Sequence, residues 1–177
     1  MTDALPPDPI AQAKAYQQSL LAALGADDPA DAQSQAPAAI RALVAEAGGL
    51  LWTRPEPREW SVALCLAHIA DAELVMSARY RWVLAHDQPE LIGYDQDLWV
   101  DNLHPDDQDP FELLATFEPL RTANITLWRA STAAQRARVA VHRERGPESY
   151  DLMFRMIGGH DRVHLAQARR ALEAARR

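Results

Sequence analysis

The stretch Gly158-Gly159-His160-Asp161-Arg162-Val163-His164-Leu165-Ala166-Gln167 decides how this chain is read. Its two histidines stand four residues apart, inside what reads as the last long helix, from about Glu148 to Ala175. On a helix, positions i and i+4 share a face one turn apart. The two imidazoles can therefore converge on one ion, and imidazole is the commonest protein metal ligand. The apolar stripe of this helix is Met153, Ile157, His160, His164, Ala168 and Ala171, with Met156 and Leu172 beside it. Both histidines fall on that core stripe, where a ligand belongs and a solvated histidine does not. The competing reading is two core histidines hydrogen-bonded to neighbours. Gly158 and Gly159 favour the metal, because a glycine inside a helix costs about 1 kcal/mol relative to alanine. An unfavourable local choice beside candidate ligands gives a neighbouring helix or a ligand room to approach. The zincin pattern H-E-x-x-H is absent, since Asp161 follows His160.

His68 supplies the third candidate ligand, as the only other histidine on a helix interior. Its helix starts after Trp60, with Ser61 as N-cap, and runs to about Ala85. Leu64, His68, Asp71, Val75, Ala78 and Trp82 repeat at about 3.5 residues and predict an inward stripe. Val62, Leu66, Ile69 and Ala70 widen the apolar surface, so this helix is expected to be covered on several sides. Three neutral imidazoles leave metal positions open, as catalytic sites do. Asp71, one turn beyond His68, is either a hydrogen-bond support or base for the site, or a salt-bridge partner of Arg79, Arg121 or Arg162. Cys65, one turn before His68, could ligate but reads in preference as a small core hydrophobe. Arg121 and Asn124 fall near the inward side of a helix opened by Asp109-Pro110. There they either bind an anionic substrate group in the cavity or lie outside it. His142 is either a fourth contributor to the site or, as its polar loop favours, a solvated histidine; His86 and His104 stand among acidic loop residues and are expected to be exposed.

The rest of the chain is read as follows. Residues 1–8 are Pro/Asp-rich and expected to be flexible. Pro9 to Leu24 suits a helix stopped by Gly25. Asp27 to Ala36 reads as a loop, and Pro37 opens a short helix that Gly48-Gly49 ends. Leu50 to Arg58 is an extended connection. Residues 86–109 form a long acidic link that is too apolar for disorder, with Leu91, Ile92, Tyr94, Leu98, Trp99, Val100 and Leu103. It is expected to pack across the bundle, over one end of the site. Its length allows a crossover between parallel helices. The Asp109-capped helix runs to about Thr132 and carries Pro119, which should kink or divide it. Residues 133–149 read as a polar connection.

At 177 residues the chain fits one domain, 1–177, with length enough for a sizeable core. A net charge of −7, with no basic patch, argues against a nucleic-acid partner. A single cysteine excludes an internal disulfide and a Cys-only zinc site. Residues 1–8 show no basic n-region and no apolar core, so no secretory signal is expected, and no apolar run approaches the ~18–20 residues that a membrane span needs. A cytoplasmic protein with no membrane partner is expected.

Four words in order carry a family resemblance. They are Glu59-Trp60-Ser61-Val62 with Leu66-Ala67-His68-Ile69-Ala70-Asp71-Ala72-Glu73; Phe117-Glu118-Pro119-Leu120-Arg121; His142-Arg143-Glu144-Arg145-Gly146; and Gly159 to Gln167. From about residue 10 to 172 the chain resembles the DinB/YfiT-like superfamily, specifically its DinB-like domain. The resemblance implies an all-α fold: a four-helix bundle with an extra N-terminal helical segment and a long loop between the second and third core helices. It implies a divalent metal held by three histidines, which map onto His68, His160 and His164, and a homodimer. Among the activities it implies are metal-dependent hydrolysis and S-transfer or isomerisation using a low-molecular-weight thiol. A capping-box Glu frequent in such relatives is replaced here by Leu64. The expected function is a Zn²⁺- or Ni²⁺-dependent enzyme that activates water or a thiol against a small-molecule substrate. The rival is a non-enzymatic stress-response or binding protein whose metal is structural or absent.

Overall fold

Four long helices close a ring, and each owes its start to a cap written in the sequence. The computed structural model describes residues 9–104 and 108–177; the expectation for residues 1–8 lies outside that range. Helix α1 spans Pro9–Leu24 and α2 spans Pro29–Ala47. Gly25, with φ +67°, ends α1 as expected, its N–H donating to the Leu21 carbonyl. Helix α3 spans Val62–Ala85, capped by Ser61, which accepts from the Leu64 N–H at 3.3 Å. Helix α5 spans Pro110–Ala130 behind Asp109, and α7 spans Tyr150–Ala175 behind Ser149.

Around the ring the order is α3, α5, α2, α7, and α1 packs outside on α7. The pairings give the directions. Tyr80 of α3 meets Tyr150 and Phe154 of α7, whereas His68 meets His160 and His164, so α3 and α7 are antiparallel. Leu66 and Ala70 lie against residues 110–117, and Glu73 and Ser77 against Arg121 and Asn124, so α3 and α5 run parallel. The link of residues 86–109 is the crossover that parallel neighbours require. Gln33 bonds Phe154 and Glu46 bonds Arg176, which makes α2 and α7 parallel as well. The all-α four-helix bundle, its added N-terminal helix and the long connection between its second and third members stand as expected.

Several local readings are corrected. Residues 29–36, expected as loop, are the first two turns of α2. Asp28 accepts from the N–H groups of Ala30 and Asp31 at 2.9 and 3.0 Å, and Pro29 sits in the first turn. Pro37 is therefore internal and leaves the Gln33 carbonyl without its helical donor. Arg121 Nη1 supplies one instead, at 3.2 Å. Pro119 does not divide α5, because it lies on the solvent side, where the freed carbonyl can take water.

The stripe expected inward on α3 is buried only in its first half. Val75 and Ala78 are half-buried and Trp82 is exposed, while Ala72, Met76, Tyr80 and Val83 face the core. A straight helix drifts off a 3.5-residue repeat by about 20° per seven residues, which carries the far end of the stripe outward.

The polar connection 133–149 is more ordered than expected. A short helix α6, Ala133–Arg136, precedes a hairpin of β2 (Val139–His142) and β3 (Gly146–Ser149), turned at Gly146 with φ +78°. Strand β1, Glu90–Leu91, adds to β2 in parallel, and α4, Gln96–Leu103, follows it. The link is thus stitched to the hairpin across one end of the bundle. No helix among the described residues is long and apolar enough to cross a membrane.

Candidate metal centre

His68 comes from α3, and His160 and His164 from α7, one turn apart. The antiparallel crossing of those helices brings the three rings together. Their centroids lie 4.9 Å (68 to 160), 4.5 Å (68 to 164) and 4.3 Å (160 to 164) apart. One ligand atom from each lies within 4.8 Å of the others. All three residues are buried, at 2, 6 and 7 % exposure. Trp60 covers the group, its ring centroid 5.1 Å from that of His68 and 6.1 Å from that of His164.

The hydrogen bonding is incomplete in an informative way. His68 Nε2 and His160 Nε2 are 2.9 Å apart. His68 Nδ1, His160 Nδ1 and His164 Nε2 are buried with no hydrogen-bond partner among the described residues. An unsatisfied buried polar group costs about 1–3 kcal/mol; His164 Nε2 is such an atom, while in His68 and His160 the nitrogens that meet are the two Nε2 atoms and the orphaned Nδ1 atoms are not those in contact. His164 Nδ1 faces Gln167 Oε1 at 2.9 Å. That bond fixes the ring with Nδ1 as donor and leaves the lone pair of Nε2 facing the group, as supports of metal ligands do. Burial, and then the neighbouring His164, push His68 down to about 3. Burial likewise holds His160 well below the ordinary imidazole range and lowers His164. All three are neutral near pH 7, the form that binds a cation. The donor set fits a divalent metal.

Gly159 explains how the site is closed from behind. A Cβ built there would land on the backbone carbonyl of Leu20 in α1. The two glycines make room for a neighbouring helix, which is one of the two uses foreseen for them.

Asp71 pairs with none of the three arginines considered for it. His104 Nε2 lies 2.8 Å from its Oδ2, and His104 Nδ1 lies 2.9 Å from Gln108 Oε1. Burial raises the Asp71 carboxyl despite that bond. His104, expected in solvent, is thus partly buried. Asp71 lies outside the triad and one turn beyond His68.

Arg121 is put to a different use from the one considered. It is buried, and its fork is occupied by Glu73 (Nε to Oε2, 2.9 Å), Asp161 and the Gln33 carbonyl. Asn124 completes the cluster through Glu73 and Ser77. No donor of Arg121 is left for a substrate, because Coulomb attraction to two buried carboxylates outweighs any exposed alternative. Cys65 is fully buried and its thiol is pushed up to about 12, so it is neither nucleophile nor ligand.

Two hollows reach the triad. One, about 170 Å³, has His68 and His160 in its wall, with Met76, Arg79, Tyr94 and His142. The other lies on the far side and includes Trp60, His164 and Gln167. Gln96, at the start of α4, borders both, so the link does stand over the site. Of two wall residues, Arg79 was considered only as a partner for Asp71, and His142 was weighed as a fourth contributor but expected in solvent. Arg79 follows His68 by eleven residues, about three helical turns, and so shares its face; that spacing was a usable signal. His142 is buried at the end of β2, and only the short Val139/Val141 alternation pointed to a strand there.

Relatives agree with this arrangement. The profile of the DinB superfamily matches residues 32–168, most of the chain and all three histidines. A protein of Oceanobacillus iheyensis named "Putative metal-dependent hydrolase OB0413" is 27% identical over 114 residues, 64% of this chain and 65% of its own length. The match thus spans just under two thirds of that relative. The solved structure of YfiT from Bacillus subtilis, described as "a probable metal-dependent hydrolase with an unusual four-helix bundle topology", superposes with a TM-score of 0.69. At 20% identity, over 99% of this chain and 91% of that one, it is a likeness of fold. With its profile match, its bundle and its buried histidine cluster, this chain belongs to the DinB superfamily.

Proposed function

We propose that this chain is a metal-dependent hydrolase in which His68, His160 and His164 hold a divalent cation, Zn²⁺ or Ni²⁺. The observation that carries the reading is the convergence of three buried histidines, one ligand atom of each within 4.8 Å of the others, with the Nε2 atoms of His68 and His160 2.9 Å apart and His164 Nε2 buried without a partner among the described residues. All three imidazoles are neutral near pH 7, since burial lowers each of them. A divalent ion on three neutral imidazoles supplies Lewis acidity and lowers the pKa of a water or thiol it touches. The relatives' names support hydrolysis, in which water is the nucleophile.

The chain's own groups set the rest. Asp71, one turn beyond His68 and held by His104, would serve as the proton acceptor. Gln167 orients His164. Trp60 excludes water from one side of the rings. No thiol of the chain can take part, because Cys65 is sealed in the core. A thiol S-transferase would therefore bring its thiol as a co-substrate through one of the two hollows.

Elemental analysis of the purified protein tests the reading. About one equivalent of metal is expected, falling at least tenfold in His160→Ala with the fold retained. No metal above background in the parent protein overturns it. Ester and amide hydrolysis is then assayed with and without a low-molecular-weight thiol; turnover that requires the thiol reassigns the enzyme as a transferase. Loss of the fold on chelation, with no turnover of either kind, favours a structural metal.

A further inference from the structure

The hollow beside His68 and His160 carries a second feature, on the same face of α3. Arg79 is 4 % exposed and forms no ion pair among the described residues. Buried charges are normally paired. Its Nη2 donates to the Ile92 carbonyl at 2.6 Å, its Nη1 reaches only the Met76 thioether at 3.7 Å, and its Nε is buried with no partner among the described residues. Arg121, equally buried, is saturated by two carboxylates, so the contrast lies in this location rather than in the residue type.

His142 sharpens the point. Its Nδ1 accepts from the backbone N–H of Glu144 at 3.2 Å, which assigns the ring proton to Nε2. That Nε2 lies 3.4 Å from Arg79 Nη2. Two donors therefore face one another with no acceptor between them. Of the other charged groups in the wall, Arg145 is engaged by Glu148 at 2.5 and 3.0 Å. Glu144 is exposed and makes no ion pair with Arg79 among the described residues, although its carboxylate and the His142 ring both stand beside Gly93.

The geometry points to Arg79 and His142 as the recognition site for a carboxylate on the substrate, in the wall of the hollow that also holds His68 and His160. One unpaired guanidinium matches one negative charge; a phosphate dianion would leave a charge unmatched. The substrate is thus an elongated small molecule with its carboxylate distant from the reacting bond. His68 and Arg79 are separated by about 16 Å of helix rise, a span shortened because helical side chains lean toward the N-terminus. This substrate class rests on the triad being the reacting end.

Binding to the metal-loaded protein tests it, with butyrate, its neutral isostere butanamide, and inorganic phosphate as probes in calorimetric titrations. Butyrate is expected to bind at least tenfold tighter than butanamide, and tighter than phosphate. Arg79→Gln should abolish the preference, and Arg79→Lys should keep it in weaker form, since lysine retains the charge without the fork. Equal binding of butyrate and butanamide overturns the proposal with no variant needed. So does tighter binding of phosphate, or a folded Arg79→Gln protein that still prefers butyrate. Metal content of the same samples separates the two readings: a protein without metal that prefers butyrate refutes the hydrolase, not the carboxylate site. A metal-loaded protein with no preference refutes the carboxylate site alone.

Discussion

Helices α3 and α7 bury two polar clusters side by side, and the clusters differ in one respect. Around Arg121 every donor finds an acceptor: Glu73, Asp161 and the carbonyl left bare by Pro37. Around His68, His160 and His164, three ring nitrogens find none. The first arrangement is complete without any other molecule and holds helices α2, α3, α5 and α7 in register. The second leaves buried ring nitrogens unpaired among the described residues, His164 Nε2 beside the Nε2 contact of His68 and His160 included. Burial alone does not separate a structural cluster from a functional one; saturation does.

The largest expected effect strikes the saturated side. Arg121→Ala leaves Glu73 and Asp161 as unpaired buried carboxylates and should cost about 3–5 kcal/mol, read by urea denaturation of metal-stripped protein. A loss under about 1 kcal/mol would mean that the cluster is hydrated rather than closed.

His160→Leu, on the unsaturated side, should leave the stability of metal-stripped protein within about 1 kcal/mol, because it removes an orphaned polar group along with packing. In the presence of metal only the parent protein should gain stability. A cost matching that of Arg121→Ala would make the histidines a structural network, and the comparison would fail.

Gly159→Ala pushes α1 away from the back of the site by overpacking, at about 1–3 kcal/mol. Amide exchange should quicken in residues 16–24 of α1 before the bundle is affected. Unchanged exchange there would show that α7 yields instead.

Gln167→Leu removes only the support of His164 and should weaken metal affinity about 10–100-fold with little change in stability, measured by competition with a chromophoric chelator. Unchanged affinity would mean that the His164 ring is held by Trp60 alone.

The smallest effect is on pH dependence. Burial, with Arg145 and Arg79 nearby, lowers His142 to about 4. The unfolded chain then takes up a proton below about pH 6.5 that the folded chain refuses. Stability contributed by neutral His142 is full above pH 6.5 and is lost as pH falls toward 4. His142→Gln should flatten that part of the stability profile; an unchanged slope would show that His142 is solvated in the native protein.

The residues explain which parts of this molecule could be read in advance. A ligand pair on one helix is a local fact, since 3.6 residues per turn places His160 and His164 on one face in any fold. The capped starts of α3, α5 and α7 are equally local, and so is the excess of helix formers. The start of α2 was legible too, in Asp28-Pro29, but the loop-like composition of residues 27–36 outweighed it. The hairpin was not: four-residue strands carry a single alternation, too short to separate from a loop. Which of Arg79 and Arg121 is saturated could not be read at all, because their partners lie up to 88 residues away in sequence.

By itself, then, the order of amino acids determined the helical class, the i, i+4 histidines and their likeness to the DinB superfamily, since all of these follow from spacing along one chain. Tertiary structure alone decided that the ring of His68 meets the other two, that Arg121 is consumed by carboxylates, and that Arg79 has none among the described residues. Those outcomes depend on which helices cross and at what height, and hydrogen-bond saturation is a property of neighbours in space rather than in sequence.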